Sequence, residues 1–411
     1  MLTNQPNTKS LRYSLPAYIM LWMYILVTTV KYIKGFPVVL NSLTLYGFVA
    51  LGTVAIFLNL KVRLNTHSTM MVAFFIICLV SCVYSKAMDV SFSTTIDLFK
   101  LVLFAVVFSN VVDSEKRIEG VFFAASLATV ILFIYLAAND MLDTDQRLGN
   151  ELTGNANTFA SVFMVGAFGS VYLLFCREHR FRLEKLLYIA AFLVQEYAMA
   201  LSGGRKFFIL PVILLSGVLM MKTNKQGRRH IIRNALIAAG IITVAFWSIF
   251  EVEELYKTIG HRMEGLINSV SGEGKVDAST ASRDRLAEEG VRLWLQAPLF
   301  GHGIDTFKKL NSYMYVYSHN NYTELLSGTG LLGTCVYYSF YLVVLYKLVI
   351  IKGKDNKKWF WLIAVLCLLI YDFGAVSYND YLNHSILALA AVYVTTQTGE
   401  PTQVLVQEDI K

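Results

Sequence analysis

Residues Glu119–Ala138, EGVFFAASLATVILFIYLAA, carry a single charge in a run of twenty. A helix of that length rises ~30 Å at 1.5 Å per residue, about the thickness of a bilayer's hydrocarbon core. Inside that core no water can satisfy a backbone group, so a helix that pairs its own N–H and C=O groups is the natural form for such a run. Outward from this stretch the pattern repeats. Apolar runs lie near 15–33, 37–60, 69–84, 96–112 and 119–138, then 158–176, 186–202, 206–221 and 233–250, and finally 329–351, 358–376 and 383–397.

Composition agrees. Hydrophobic residues make up 55% of the 411-residue chain and charged residues 16%, against about 25% charged in an average soluble domain. The expected fold class is all-α, a polytopic integral membrane protein. It would have about 12 transmembrane helices, with one long external loop containing short helices, and residues 1–411 would form a single membrane domain. The first run has no small-residue cleavage site and reads as an uncleaved span. Five cysteines, Cys78, Cys82, Cys176, Cys335 and Cys367, sit in or beside apolar runs, with neither a zinc spacing nor a disulfide framework. The net charge of +7 resides largely in short loops, where it sets topology; nucleic-acid binding is not expected.

Lysine and arginine assign the sides. With the N-terminus inside, the inner segments hold Lys9, Arg12, Lys61, Arg63, Lys116 and Arg117, then Arg177, Arg180, Arg182 and Lys185. Further inner positives are Lys222, Lys225, Arg228, Arg229 and Arg233, followed by Lys347, Lys352, Lys354, Lys357 and Lys358. Short outer loops hold few: Lys31, Lys34, Lys86, Arg147, Arg205 and Lys206. Both termini are therefore expected in the cytoplasm, with the tail 398–411 disordered. Two outer segments remain, Asn139–Asn157 and residues 251–328. The second mixes amphipathic stretches, Val252–Val270 and Ser282–Gln296, with a Gly/Ser-rich piece, Ser271–Thr280. Long loops of this kind in compact proteins often work as lids or binding elements.

Four motifs stand out on that side. Ser318-His319-Asn320-Asn321-Tyr322-Thr323-Glu324 places a histidine at the membrane edge, where it could act as a general base or belong to a polar helix cap. Ser282-Arg283-Asp284-Arg285 precedes Pro298-Leu299-Phe300-Gly301-His302-Gly303. Its arginines could grip phosphate oxygens or simply pair with Asp284 and Glu288. Ser202-Gly203-Gly204-Arg205-Lys206 brings an arginine close to hydrocarbon, costly unless it is paired or faces a polar cavity; snorkelling to headgroups is the bland reading. Arg147-Leu148-Gly149, leading to Asn155-Ala156-Asn157, could be a further anion contact or a polar turn. Asp372 lies inside an apolar run and needs a partner, for which an external arginine is a candidate. P-loop, GxSxG and HExxH signatures are absent.

Taken in order, Arg147-Leu148-Gly149…Asn157, Ser202-Gly203-Gly204-Arg205, Ser282-Arg283…Pro298-Leu299-Phe300-Gly301-His302-Gly303 and His319-Asn320-Asn321-Tyr322…Gly330-Leu331-Leu332-Gly333 form a series. That series resembles the O-antigen ligase and O-antigen polymerase superfamily of bacterial surface-polysaccharide assembly, over roughly residues 140–335. The chain departs from many relatives in having no aromatic residue shortly after Arg283.

The resemblance implies a glycosyltransferase that needs neither a metal nor another cofactor, in the bacterial cytoplasmic membrane, its site facing the periplasm or exterior. The donor would be a glycan on undecaprenyl diphosphate, and the acceptor a glycan or lipid-linked sugar hydroxyl. Arg205 and Arg283 look like the two arginines that hold the diphosphate, and His319 like the residue that activates the acceptor. Arg285, Arg147, Asn320 and Tyr322 are expected around the substrate, with Arg285 able to assist. Membrane lipids and a chain-length regulator are the expected partners. The repeat-unit polymerase of O-antigen or capsule is the favoured branch. A ligase acting on the lipid A-core of lipopolysaccharide is the alternative, and a flippase the more distant one: the halves of the chain do not look alike and its charges gather on one face.

Overall fold

The computed structural model describes residues 13–33, 35–142, 147–221, 228–271, 278–351, 357–399 and 403–406. Lys9, Arg12, Lys34, Lys222, Lys225, Lys352 and Lys354, used above to assign sides, lie outside the described residues, as do parts of the 139–157, 271–280 and 398–411 segments.

The first helices are α1 Leu15–Val30, α2 Val39–Asn59, α3 Thr66–Tyr84, α4 Met88–Val111 and α5 Glu115–Ala138. A short α6 Asn150–Thr153 leads into α7 Ala156–Cys176, α8 Arg182–Leu201, α9 Arg205–Met221 and α10 Arg228–Glu251. Next come α11 Glu253–Leu255, a π-helical turn Tyr256–Gly260, α12 His261–Ser271, α13 Ala278–Gln296 and α14 Phe307–Leu310. The last helices are α15 Asn321–Ile350, α16 Lys357–Tyr371 and α17 Tyr381–Thr398. Every apolar run read from the sequence falls on a helix. Among the described residues, seven helices are long and apolar enough to cross a membrane: α2, α3, α4, α5, α7, α15 and the Ile232–Glu251 part of α10. An all-α membrane protein is what the sequence pattern requires.

Helix α7 forms the centre. In its most apolar window 83% of residues are buried, because α5, α8, α9 and α16 all pack against it. Gly169 permits the α5 contact, since a methyl group there would stand 2.6 Å from the Phe122 carbonyl oxygen. Aromatic rings fill the space beside it, with Phe122 4.7 Å from Tyr172 and Tyr172 5.0 Å from Phe360. Edge-on and tilted contacts of this kind add to the area buried.

Two features differ from expectation. Gln403–Val406 forms a strand, β2, paired antiparallel with β1, Lys61–Leu64. The tail is thus ordered there, since the β-prone Val-Leu-Val run finds an open strand edge to pair with.

Helix α15 also begins earlier than its apolar run and is broken at Gly330, where φ is 65° and ψ is −167°. Only glycine adopts that conformation readily. A break frees backbone groups that must be satisfied elsewhere, and the 298–303 loop supplies the partners. Leu331 N–H donates to the Pro298 carbonyl at 2.8 Å and Leu332 N–H to the Leu299 carbonyl at 3.1 Å. In return His302 N–H donates to the Ser327 carbonyl at 2.9 Å and Gly303 N–H to the Gly328 carbonyl at 2.8 Å. The two glycine motifs are therefore one docking joint, and it fixes the direction in which the first half of α15 carries His319 and Asn320 toward the bundle.

Candidate active site

The start of α15 is shaped by its polar residues. Asn320 caps the helix, its side chain accepting from Tyr322 N–H at 2.9 Å and Thr323 N–H at 3.3 Å. Ser318 N–H donates to the Glu324 carboxylate at 2.8 Å, folding the preceding loop back on the first turn. Between these two anchors His319 takes a left-handed conformation, φ 56°, which histidine tolerates better than most residues. Its ring lies 4.2 Å from the Tyr317 ring. Burial, together with the charges of Arg283 and Lys206, pushes the imidazole down to about 4. It is therefore neutral near pH 7 and able to accept a proton.

Two cations come from separate helices. Lys206, in the first turn of α9, donates from Nζ to the Gly374 carbonyl at 2.7 Å and sits 3.9 Å from the Tyr371 ring centroid. Arg283 projects from α13. A methyl group built on Gly374 would touch Lys206 Nζ at 3.7 Å and Arg283 Nη1 at 3.9 Å, so both cations lie against this one residue. Lys206, Arg283 and His319 all line a cavity of about 660 Å³, walled also by Tyr317, Lys308 and Asp380. An arginine, a lysine and a neutral base around one space can hold an anionic group and take a proton beside it.

The other sequence-predicted residues lie around this cavity rather than in it. Arg205 donates to the Arg262 carbonyl at 2.7 Å and to Thr280 Oγ1 at 3.1 Å. It ties α9 to the first turn of α13, one turn before Arg283. Arg147 donates to the Ser202 carbonyl at 2.7 Å and to Asn157 Oδ1 at 3.0 Å; Asn157 is itself a cavity wall. Arg285 is placed over the Tyr313 ring, 5.7 Å from its centroid. Tyr322 stacks on Tyr338 at 4.7 Å and donates to the Leu369 carbonyl. Asn320 acts as a cap.

Lys206 and Gly374 were not singled out from the sequence. For Lys206 a signal existed, because it follows Arg205 at the same costly depth. For Gly374 none did.

An arginine partner for Asp372 is not what the structure shows. Its carboxylate accepts from Ser377 Oγ, from Tyr338 OH at 2.9 Å and from Asn321 Nδ2 at 3.3 Å. Its hydrogen-bond partners are three neutral donors, and Lys206 acts on the buried carboxyl through its charge without a hydrogen bond to it. Asn321 completes the joint, its Oδ1 accepting from Ser377 N–H at 2.9 Å and Tyr378 N–H at 3.0 Å. This network holds the 374–380 segment, and with it Gly374 and Asp380, at the cavity wall. Asp143-Thr144-Asp145 is an Asp-x-Asp run just before Arg147, and it lies outside the described residues.

Residues 187–338 match the family model described as O-antigen ligase. No curated protein matches the chain. The matched stretch holds Arg205, Lys206, Arg283, Arg285 and His319, whereas Arg147 and Asn157 precede it. It supports the resemblance to the O-antigen ligase and polymerase superfamily, whose members are glycosyltransferase-like enzymes. Together with the seven long apolar helices among the described residues, the match points to an integral membrane protein that is similar, over residues 187–338, to the O-antigen ligase family.

Proposed function

We propose that this chain is a metal-independent glycosyltransferase that moves a glycan from undecaprenyl diphosphate to an acceptor sugar hydroxyl at the outer face of the cytoplasmic membrane. One observation carries the reading: Lys206, Arg283 and His319 face the same cavity. Arg283 and Lys206 hold the donor diphosphate. His319 takes the proton from the acceptor hydroxyl as its oxygen attacks the anomeric carbon. The bond from that carbon to the phosphate oxygen breaks, and the electron pair leaves on the diphosphate. Stabilising that developing charge with fixed cations is the largest contribution to rate in many such reactions. Base catalysis by His319 adds roughly 10²–10⁴-fold. Arg205 serves by holding α13, and therefore Arg283, in place. The displacement is direct and inverts the anomeric centre; a trapped glycosyl-enzyme would overturn that step.

A lipid-linked donor suits the surroundings. An apolar groove of about 700 Å³ lies between α7, α8, α9 and α10, lined by Phe192, Phe208, Leu215 and Val244 among others. The first turn of α9 borders both spaces, since Phe207 lines the polar cavity and Phe208 the groove.

Within this chemistry the chain acts as the repeat-unit polymerase, joining a growing chain to the next lipid-linked unit. Transfer to lipid A-core is the second reading, favoured by the ligase description of the matched family. Reconstitution with purified lipid-linked repeat units distinguishes them. A ladder of chain lengths that persists in EDTA indicates the polymerase, and product formed only with added lipid A-core indicates the ligase. No transfer to either acceptor would overturn the function.

A further inference from the structure

We propose that Tyr317, Tyr315 and Tyr313 form a stacking track that carries the acceptor saccharide from the His319 cavity to the protein surface. The proposal rests on the glycosyl-transfer reading above and names where the acceptor binds.

The track begins inside the site. Tyr317 lines the cavity and its ring stands 4.2 Å from that of His319. The chain leading into Tyr317 leaves its tyrosines uncovered: Tyr317 is 39% exposed, Tyr315 69% and Tyr313 42%. Clustered aromatics left facing solvent commonly mark a binding surface.

This exposure does not come from a loose loop. Asn311 Oδ1 accepts from Tyr313 N–H at 3.2 Å and Met314 N–H at 3.0 Å, while its Nδ2 donates to the Val316 carbonyl at 3.1 Å. Glu289 accepts from the Ser312 N–H at 2.9 Å and the Ser312 hydroxyl at 3.0 Å, and pairs with Arg292. Val316, between the tyrosines, turns inward onto Leu286, Leu293 and Phe307. The backbone is thus braced from α13 and by Asn311, while the aromatic side chains remain outside.

Sugar rings suit such a surface. Their C–H faces lie flat on an aromatic ring, and a tyrosine adds a hydroxyl for the ring's edges. With two side-chain torsions each, tyrosines lose little entropy on binding. Arg285 covers part of Tyr313 as a cation–π contact and steadies that ring. The Lys308–Asp305 ion pair flanks the inner end, and both residues line the cavity. Continuity with that cavity favours a saccharide over lipid headgroups, for which tyrosines at a bilayer surface would otherwise serve as anchors.

The test uses the full-length protein, purified lipid-linked repeat units as acceptor, and oligosaccharide of one to three repeats released from the same polysaccharide. Tyr315→Ala and Tyr313→Ala should each raise the acceptor KM about threefold to tenfold, the size of one aromatic stacking contact, and the matching Phe variants should restore it. Saturation-transfer NMR should show the released oligosaccharide bound to the parent, weakened in the Ala variants and retained in His319→Ala. Unchanged acceptor KM in both Ala variants overturns the track while leaving the transfer reading intact. So does a loss seen only in bilayers and absent in detergent, which indicates membrane anchoring. If the parent binds the saccharide through these tyrosines yet transfers nothing, the transfer reading fails and the track stands. Absence of saccharide binding to the parent overturns the track.

Discussion

Lys206 Nζ reaches the Gly374 carbonyl at 2.7 Å across 168 positions of sequence, and in doing so brings α9 to the turn that joins α16 and α17. Arg283 approaches the same glycine from α13. The cationic pocket is therefore assembled by three elements that meet at one small residue.

Gly374→Ala tests that geometry. The methyl group would meet its nearest neighbours at 3.5–3.9 Å, ordinary contact distances, so the fold should be retained. It would nonetheless stand between the two cations, where a phosphate oxygen belongs. Displacing one charge-assisted hydrogen bond costs ~1.5–3 kcal/mol, so donor KM should rise by about tenfold to a hundredfold. Unaltered donor KM would place the diphosphate elsewhere.

The pH profile tests His319. In the free protein its imidazole is held at about 4 by burial and by the neighbouring cations, below the ~6.5 of an unfolded chain. The acid limb of kcat/KM should lie near that lower value. A bound diphosphate offsets the cations, so the acid limb of kcat should lie at higher pH than that of kcat/KM. Stability follows the same sign. Between pH 6.5 and 4 the unfolded state binds more protons at this residue than the folded state, so the contribution of His319 is full above ~6.5 and is lost as pH falls. Limbs in the reverse order would contradict the assignment.

Gly330→Ala tests the joint beneath the site. A methyl group there would stand 2.4 Å from the Leu299 carbonyl. The backbone strain alone costs ~1–3 kcal/mol, and the clash adds to it. Thermal unfolding in detergent should show a clear loss of stability. Gly240→Ala, with nothing within 4 Å of the new methyl, should be neutral or stabilise by up to ~1 kcal/mol. Equal behaviour of the two variants would refute the joint.

Asn321→Ala removes the acceptor for two buried N–H groups and one donor to Asp372. Each orphaned buried group costs ~1–3 kcal/mol, so the loss should exceed the ~1 kcal/mol of removing the Asn320 cap in Asn320→Ala. Calorimetry of both variants checks the order, and a larger loss in Asn320→Ala would contradict it.

The helices were legible because hydrocarbon selects long apolar runs and tolerates little else. Their faces were not. Arg205 and Lys206 are neighbours, yet successive residues of a helix point ~100° apart, and the phase is set by how Gly203 and Gly204 turn the chain. Sequence reading chose Arg205; the fold turns Lys206 into the cavity and uses Arg205 as a strut to Thr280. His319 is the one histidine of its motif, whereas Arg283 shares its motif with Arg285, and only the fold distinguishes them by setting Arg283 at the cavity and Arg285 over Tyr313. The break at Gly330 was hidden inside an apolar run, since the groups that satisfy it come from Pro298, Leu299, His302 and Gly303. The sequence marks Asp372 as needing partners and points to an arginine, whereas the fold supplies three neutral hydrogen-bond donors and the charge of Lys206.

The central claim is that Lys206, Arg283 and His319 act on one substrate in one cavity. Its most direct test is single-turnover transfer in proteoliposomes loaded with lipid-linked repeat units. The parent would be compared with Lys206→Ala, Arg283→Ala, His319→Ala and the triple variant. Residues that act as a unit are strongly non-additive, so the account predicts that each single variant loses most transfer and that the triple variant is little worse than the worst single one. Transfer at the parent rate in His319→Ala or Arg283→Ala, or strictly multiplicative losses, would contradict it.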